Sequence, residues 1–116
     1  MGVTGCSAVG SAGACVEPTV HASVVEAAPG DVVRVAGMYW QPCNDTNHAS
    51  DPPWPEVTLS WVQDGRPYDE QRILISDGRF AGDFEIPAEA GAGTGTIEVH
   101  AAVYTVQVDL LIVATQ

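Results

Sequence analysis

There is no lysine anywhere in this 116-residue sequence, and four arginines stand against fifteen acids, for a formal net charge of −11. Phosphate binding needs basic side chains to displace counterions, so nucleic acid and anionic lipid are disfavoured as partners. No run of about 18 apolar residues occurs, and no membrane-spanning helix is expected. Catalytic signatures are missing too. The sequence holds no Gly-x-Ser-x-Gly elbow, no Cys-x-x-Cys and no His-Glu-x-x-His, the patterns that would mark a hydrolase, a redox centre or a zinc site. No nucleophile lies at a meaningful spacing from a base, so we expect neither an enzyme nor a cofactor.

What the sequence does have is enough apolar material for one core. Hydrophobic residues make up 46% and charged residues 16%, a balance that folds rather than one that stays solvated. The length suits a single domain. Valine recurs in short alternating runs broken by Pro, Gly, Asn or Asp, the pattern of strands. Residues 18–26 place Val20, Ala22 and Val24 on one face and His21 and Ser23 on the other. A turn at 28–31 makes a hairpin with a second strand, 32–37, that buries Val33 and Val35. A third strand carries Val57, Leu59 and Trp61. Later strands read as 71–76, 79–86 with Phe80, Phe84 and Ile86 inward, 94–103 with Ile97, Val99, Ala101 and Val103 inward, and 106–114 with Val108, Leu110 and Ile112 inward. About seven strands at this spacing indicate an antiparallel sandwich of two sheets. His21 and His100 fall on outward faces and read as surface residues.

Residues 1–14 are nearly all small and without periodicity, which predicts a disordered leader or tether ahead of a domain over 15–116. From 38 to 55 the density of Pro, Asn and Asp excludes strand and helix and predicts one long ordered loop, a length that is uncommon unless functional. Cys15 stands before the first strand and Cys43 in this loop, so a Cys15–Cys43 disulfide is expected, with two free thiols as the alternative. In the loop-entropy model such a bridge, closing roughly 29 residues, contributes about 3.5 kcal/mol.

Two resemblances follow from particular residues. Val3-Thr4-Gly5-Cys6 resembles the lipobox of bacterial lipoproteins, which implies lipidation at Cys6; a chance cysteine is the alternative. Residues 28–37, Ala-Pro-Gly-Asp-Val-Val-Arg-Val-Ala-Gly, and 77–87, Asp-Gly-Arg-Phe-Ala-Gly-Asp-Phe-Glu-Ile-Pro, with Gly93-Thr94-Gly95-Thr96-Ile97 after them, resemble the immunoglobulin-like sandwich modules of secreted bacterial surface proteins. That resemblance implies an immunoglobulin-like fold and a secreted or cell-surface location. It departs from the usual module at 38–55, where a Cys-bearing loop replaces a short turn.

Candidate sites concentrate in that loop. Tyr39, Trp40 and Trp54 bracket it and are candidate contacts for a protein or carbohydrate partner, the alternative being that they cover the open end of the core. Asp45, Asn47, His48 and Asp51 supply the oxygen and imidazole ligands of an alternative metal site, for calcium or a transition metal, although the EF-hand pattern is not met. Cys43 with His48 lacks the remaining ligands of a blue-copper centre. The glycines at 91, 93 and 95 precede a strand and read as a turn, not a dinucleotide loop. The expectation is therefore a non-enzymatic, monomeric, extracellular module that binds or supports at the cell surface, with any membrane contact made through a lipid at Cys6.

Overall fold

The computed structural model describes residues 16–42 and 52–113, and among these the fold is all strand, with no helix long and apolar enough to cross a membrane. Eight strands form: β1 (Thr19–Ala22), β2 (Glu26–Ala27), β3 (Val32–Met38), β4 (Glu56–Gln63), β5 (Arg66–Leu74), β6 (Phe80–Glu85), β7 (Gly93–Ala101) and β8 (Tyr104–Ile112). They build one sheet in the order β1-β3-β6 and another in the order β2-β8-β7-β4-β5. This is an immunoglobulin-like β-sandwich: a three-stranded sheet packs on a five-stranded one, with alternate residues of each strand filling the space between.

Alternation places the core where the sequence predicts it. Val33, Val35, Val57, Leu59, Trp61, Phe80, Phe84, Ile86, Ile97, Val99, Leu110 and Ile112 are all buried. Trp61 lies toward the end of β4, and Gly95 on the adjoining strand β7 is what admits it, because a Cβ there would overlap the indole. The one buried polar side chain among the described residues is Gln63. Its amide donates to the Gly91 carbonyl at 2.8 Å and accepts from the Gly91 N–H at 3.0 Å, so its burial costs no unpaired group. This clasp ties the β6–β7 connection to the end of β4.

Beyond β5, which begins at Arg66 rather than at 71, three departures from the sequence reading bear on the topology and the core. Residues 18–26 are two strands in different sheets rather than one. β1 pairs antiparallel with β3, whereas β2 pairs parallel with β8, so the sandwich is not antiparallel throughout. The switch occurs at 23–25: Ser23 takes the last rungs to Arg34, through its N–H at 2.9 Å and its hydroxyl at 3.2 Å. The chain then crosses, and the Val25 carbonyl accepts from Leu111 at 2.9 Å. Val24 consequently turns outward, 41% exposed, and Ala27 enters the core in its place. By the same token the 28–31 turn joins the two sheets and is not a hairpin. Lastly, Val103 is not inward. Ala101 pairs with Tyr104 across a two-residue turn, which leaves Val103 at the tip, 89% exposed, while Val108 is half-buried.

Candidate binding pole

Strand register determines what meets at each end of the sandwich. Thr19 pairs with Met38, Glu56 with Leu74, and Ala101 with Tyr104. One pole therefore collects the start of β1, the two described ends of the β3–β4 connection, the β5–β6 turn and the β7–β8 hairpin. The β2–β3 turn, the β4–β5 hairpin and the β6–β7 connection lie at the other.

At the first pole Trp40 departs from the expectation. It is fully buried. Its indole N–H donates to the Thr19 carbonyl at 2.9 Å, its backbone N–H donates to Gly78 at 2.8 Å, and its ring meets Phe80 edge-to-face at 6.0 Å and 71°. Gly37 makes this possible, since a Cβ there would strike Phe80, the Thr19 carbonyl and the Trp40 indole nitrogen. Trp40 caps the core and has no surface to offer a partner. Its neighbour does: Tyr39 is 39% exposed at φ 65°, a left-handed conformation that is an outlier for a bulky residue. Such strain persists only where the surroundings impose it and clusters at functional sites. Trp54 is half-buried against the core and tilts onto Tyr104, ring centroids 5.8 Å apart at 43°.

Beside Trp54 lies a concavity of about 410 Å³ lined, among the described residues, by Trp40, Gln41, Pro42, Pro53, Trp54, Ile75, Asp77 and Gly78. The Asp77–Gly78 turn, with both residues at positive φ, packs against the Gln41 side chain. Among the described residues the walls include an aromatic ring, two prolines and an aliphatic side chain, and the polar side chains are one amide and one carboxylate. That combination suits a ligand with an apolar face and hydrogen-bonding edges, and the carboxylate disfavours anions. Asp77 came within the sequence reading only as the first residue of the 77–87 segment. Gln41, Ile75 and Tyr104 carry no local signal, because register alone brings them here.

A second concavity, about 520 Å³, opens between the edges of β5 and β6 and is lined by Arg66, Tyr68, Gln71, Glu85, Pro87 and Glu89, among others. The Arg66 guanidinium lies 5.4 Å from the Tyr68 ring centre. Two exposed ion pairs, Arg34–Asp83 at 3.4 Å and Arg72–Glu56 at 3.5 Å, contribute little. His21 and His100 are exposed, the latter with its Nδ1 3.0 Å from the Thr105 hydroxyl.

Several candidate residues lie outside the described residues: Cys6, Cys15 and Cys43, and the alternative metal ligands Asp45, Asn47, His48 and Asp51. The leader over 1–14 does so as well. Among the described residues no three His, Cys, Asp or Glu side chains converge as a metal site would require.

No family model matches the chain, and no curated protein matches it. Solved structures do. The chain is similar to part of an Escherichia coli alpha-2-macroglobulin activated by porcine elastase, with 13% identity and a TM-score of 0.59 over 83% of this chain and 8% of that one. A trypsin-activated alpha-2-macroglobulin from Escherichia coli matches over 82% of this chain and 6% of its own, with 12% identity and the same TM-score of 0.59. A Salmonella alpha-2-macroglobulin mutant matches over 92% and 7%, with 14% identity and a TM-score of 0.62. The chain thus spans less than a tenth of the length of these proteins, and what it has in common with them is the fold.

Proposed function

We propose that this chain is a non-enzymatic binding module that works outside the cytoplasm and engages its partner through the pole built around Tyr39 and Trp54. The observation that carries the reading is Tyr39, a large aromatic held exposed in a strained backbone conformation and followed in the chain by Trp40 and Gln41, which line the groove. A packing role would bury the ring, as it does for Trp40. The likeness to single domains of much longer bacterial proteins supports a modular role. Three cysteines and the lipobox-like Cys6 support a secreted or lipid-anchored location. The groove's aromatic wall, amide and carboxylate favour a neutral saccharide or an uncharged peptide segment as the ligand.

The test is binding of the wild-type chain, Tyr39→Gly and Trp54→Ala to immobilised glycan and peptide arrays, with thermal unfolding run on each variant. The proposal expects a wild-type signal that both variants lose while remaining folded. A wild-type chain that binds neither array, or variants that bind as well as wild type, overturns it.

A further inference from the structure

β6 ends the three-stranded sheet, and only one of its sides is paired, with β3. The phase of that pairing follows from Ile86, whose N–H donates to Asp31 at 2.8 Å and whose carbonyl accepts from Gly30 at 3.0 Å. Even-numbered residues therefore turn their backbone groups toward β3, and Ala81, Asp83 and Glu85 turn theirs to the free edge. Two of the outward positions are closed. The Glu85 N–H donates to Gln71 Oε1 at 3.1 Å, and its carbonyl accepts from Gln71 Nε2 at 3.0 Å. Arg79 is paired in both directions with Ser76, at 3.0 and 2.8 Å. A primary amide presents one donor and one acceptor side by side, so Gln71 occupies the place of a residue on an adjoining strand. Among the described residues nothing pairs with the outward groups of Ala81 and Asp83, and both residues are exposed.

Gln71 acts together with Ile73. Both lie on the inward face of β5, as their partners Leu59 and Val57 show, and Ile73 reaches across to Gly82, where a Cβ would overlap it. β5 is thus held over the β6 edge by side chains and not by a backbone ladder. The edge beneath is self-complementary. Laid antiparallel on itself about Gly82, the segment sets Ala81 opposite Asp83 in the ladder and Phe80 opposite Phe84, and it brings the Arg79 side chain, whose backbone stays paired with Ser76, opposite Glu85. It carries one of only four cations in the chain, placed where it would meet an acid of the second copy. Opposite charges directly across a ladder stabilise it, and unpaired edges are the places where sheets add strands.

We propose that β6 is a pairing edge for a second copy of this chain, and that the Gln71 amide is the latch that keeps it closed. With the latch in place the chain is a monomer. Without it, β5 is freed from Glu85, the edge is uncovered, and two sandwiches join into one six-stranded sheet with a twofold axis at Gly82.

Sedimentation equilibrium decides the matter. The wild-type mass of 12.1 kDa is expected to double in Gln71→Ala and to return to the monomer value when Ala81→Pro is added, because proline removes an outward N–H. Glu85→Arg in the Gln71→Ala background should also dissociate the dimer, and the further change Arg79→Glu should restore it. A folded Gln71→Ala that stays monomeric overturns the proposal, and so does association that survives Ala81→Pro. Should Gln71→Ala fail to fold, amide hydrogen exchange on the wild type serves instead: the Glu85 amide is expected to be protected and those of Ala81 and Asp83 to exchange fast. Protection at all three overturns the proposal.

Discussion

Replacing Trp40 by alanine separates a core role from a contact role. The ring is fully buried, and Trp→Ala at such a site costs about 3–5 kcal/mol in lost transfer energy and residual cavity. Its edge-to-face contact with Phe80 and the 2.9 Å hydrogen bond to Thr19 place the cost in the middle of that range or above, since each is worth about 1 kcal/mol. About 4 kcal/mol is a large share of the 5–15 kcal/mol that small domains possess. With a urea m-value of about 2 kcal/mol/M, the unfolding midpoint falls by about 2 M. Equilibrium urea unfolding followed by far-ultraviolet circular dichroism measures the shift, and an unchanged m-value shows that stability alone has moved. Trp40→Phe keeps the aromatic contact, loses the hydrogen bond and part of the volume, and should fall between wild type and alanine. A Trp40→Ala midpoint within about 0.25 M of wild type, equivalent to about 0.5 kcal/mol, would refute the argument, because a ring so placed cannot be removed at surface cost.

Gly95→Ala should destabilise by about 2 kcal/mol through overlap with Trp61, within the usual cost of overpacking. Gly91→Ala, where a Cβ meets nothing within 4 Å, should leave the urea midpoint nearly unchanged and serves as the control. Tyr39→Gly relieves a left-handed backbone position, so thermal unfolding should show stability equal to wild type or up to about 1 kcal/mol higher, even though array binding is lost. A large destabilisation would instead make Tyr39 a packing residue. For the cysteines, alkylation of the unfolded chain before and after reduction should add one and then three groups by intact mass, and reduction should lower stability by about 3.5 kcal/mol. Three groups before reduction would remove the expected Cys15–Cys43 bridge.

How much was legible in advance depended on the range of the interaction. Alternation over β3, β4, β6 and β7 is a local property of the chain, since successive side chains point to opposite faces, and the buried sets Val33/Val35, Val57/Leu59/Trp61 and Ile97/Val99 follow from it directly. Asp64-Gly65 and Asp77-Gly78 were equally readable as turns, because aspartate and glycine tolerate the positive φ that both pairs adopt. The absence of lysine and the charge of −11 belong to composition and need no fold at all. Tertiary pairing decided the rest. Residues 18–26 alternate as one strand would, and only the competition between the β3 edge and the β8 edge divides them at Ser23. Ala102-Val103 carries no turn residue, so the end of β7 was set by the register with β8, which turned Val103 outward and brought Tyr104 to Trp54. Trp40 and Trp54 look alike in sequence, two aromatics beside the same proline-rich connection. Thr19, Phe80 and Gly37 bury the first, whereas the second is half-buried against the core and tilts onto Tyr104. Sequence determines which faces are apolar and where the chain turns, because both are properties of neighbouring residues. Which aromatic is core and which is surface depends on partners tens of residues away, and only the folded sandwich supplies them.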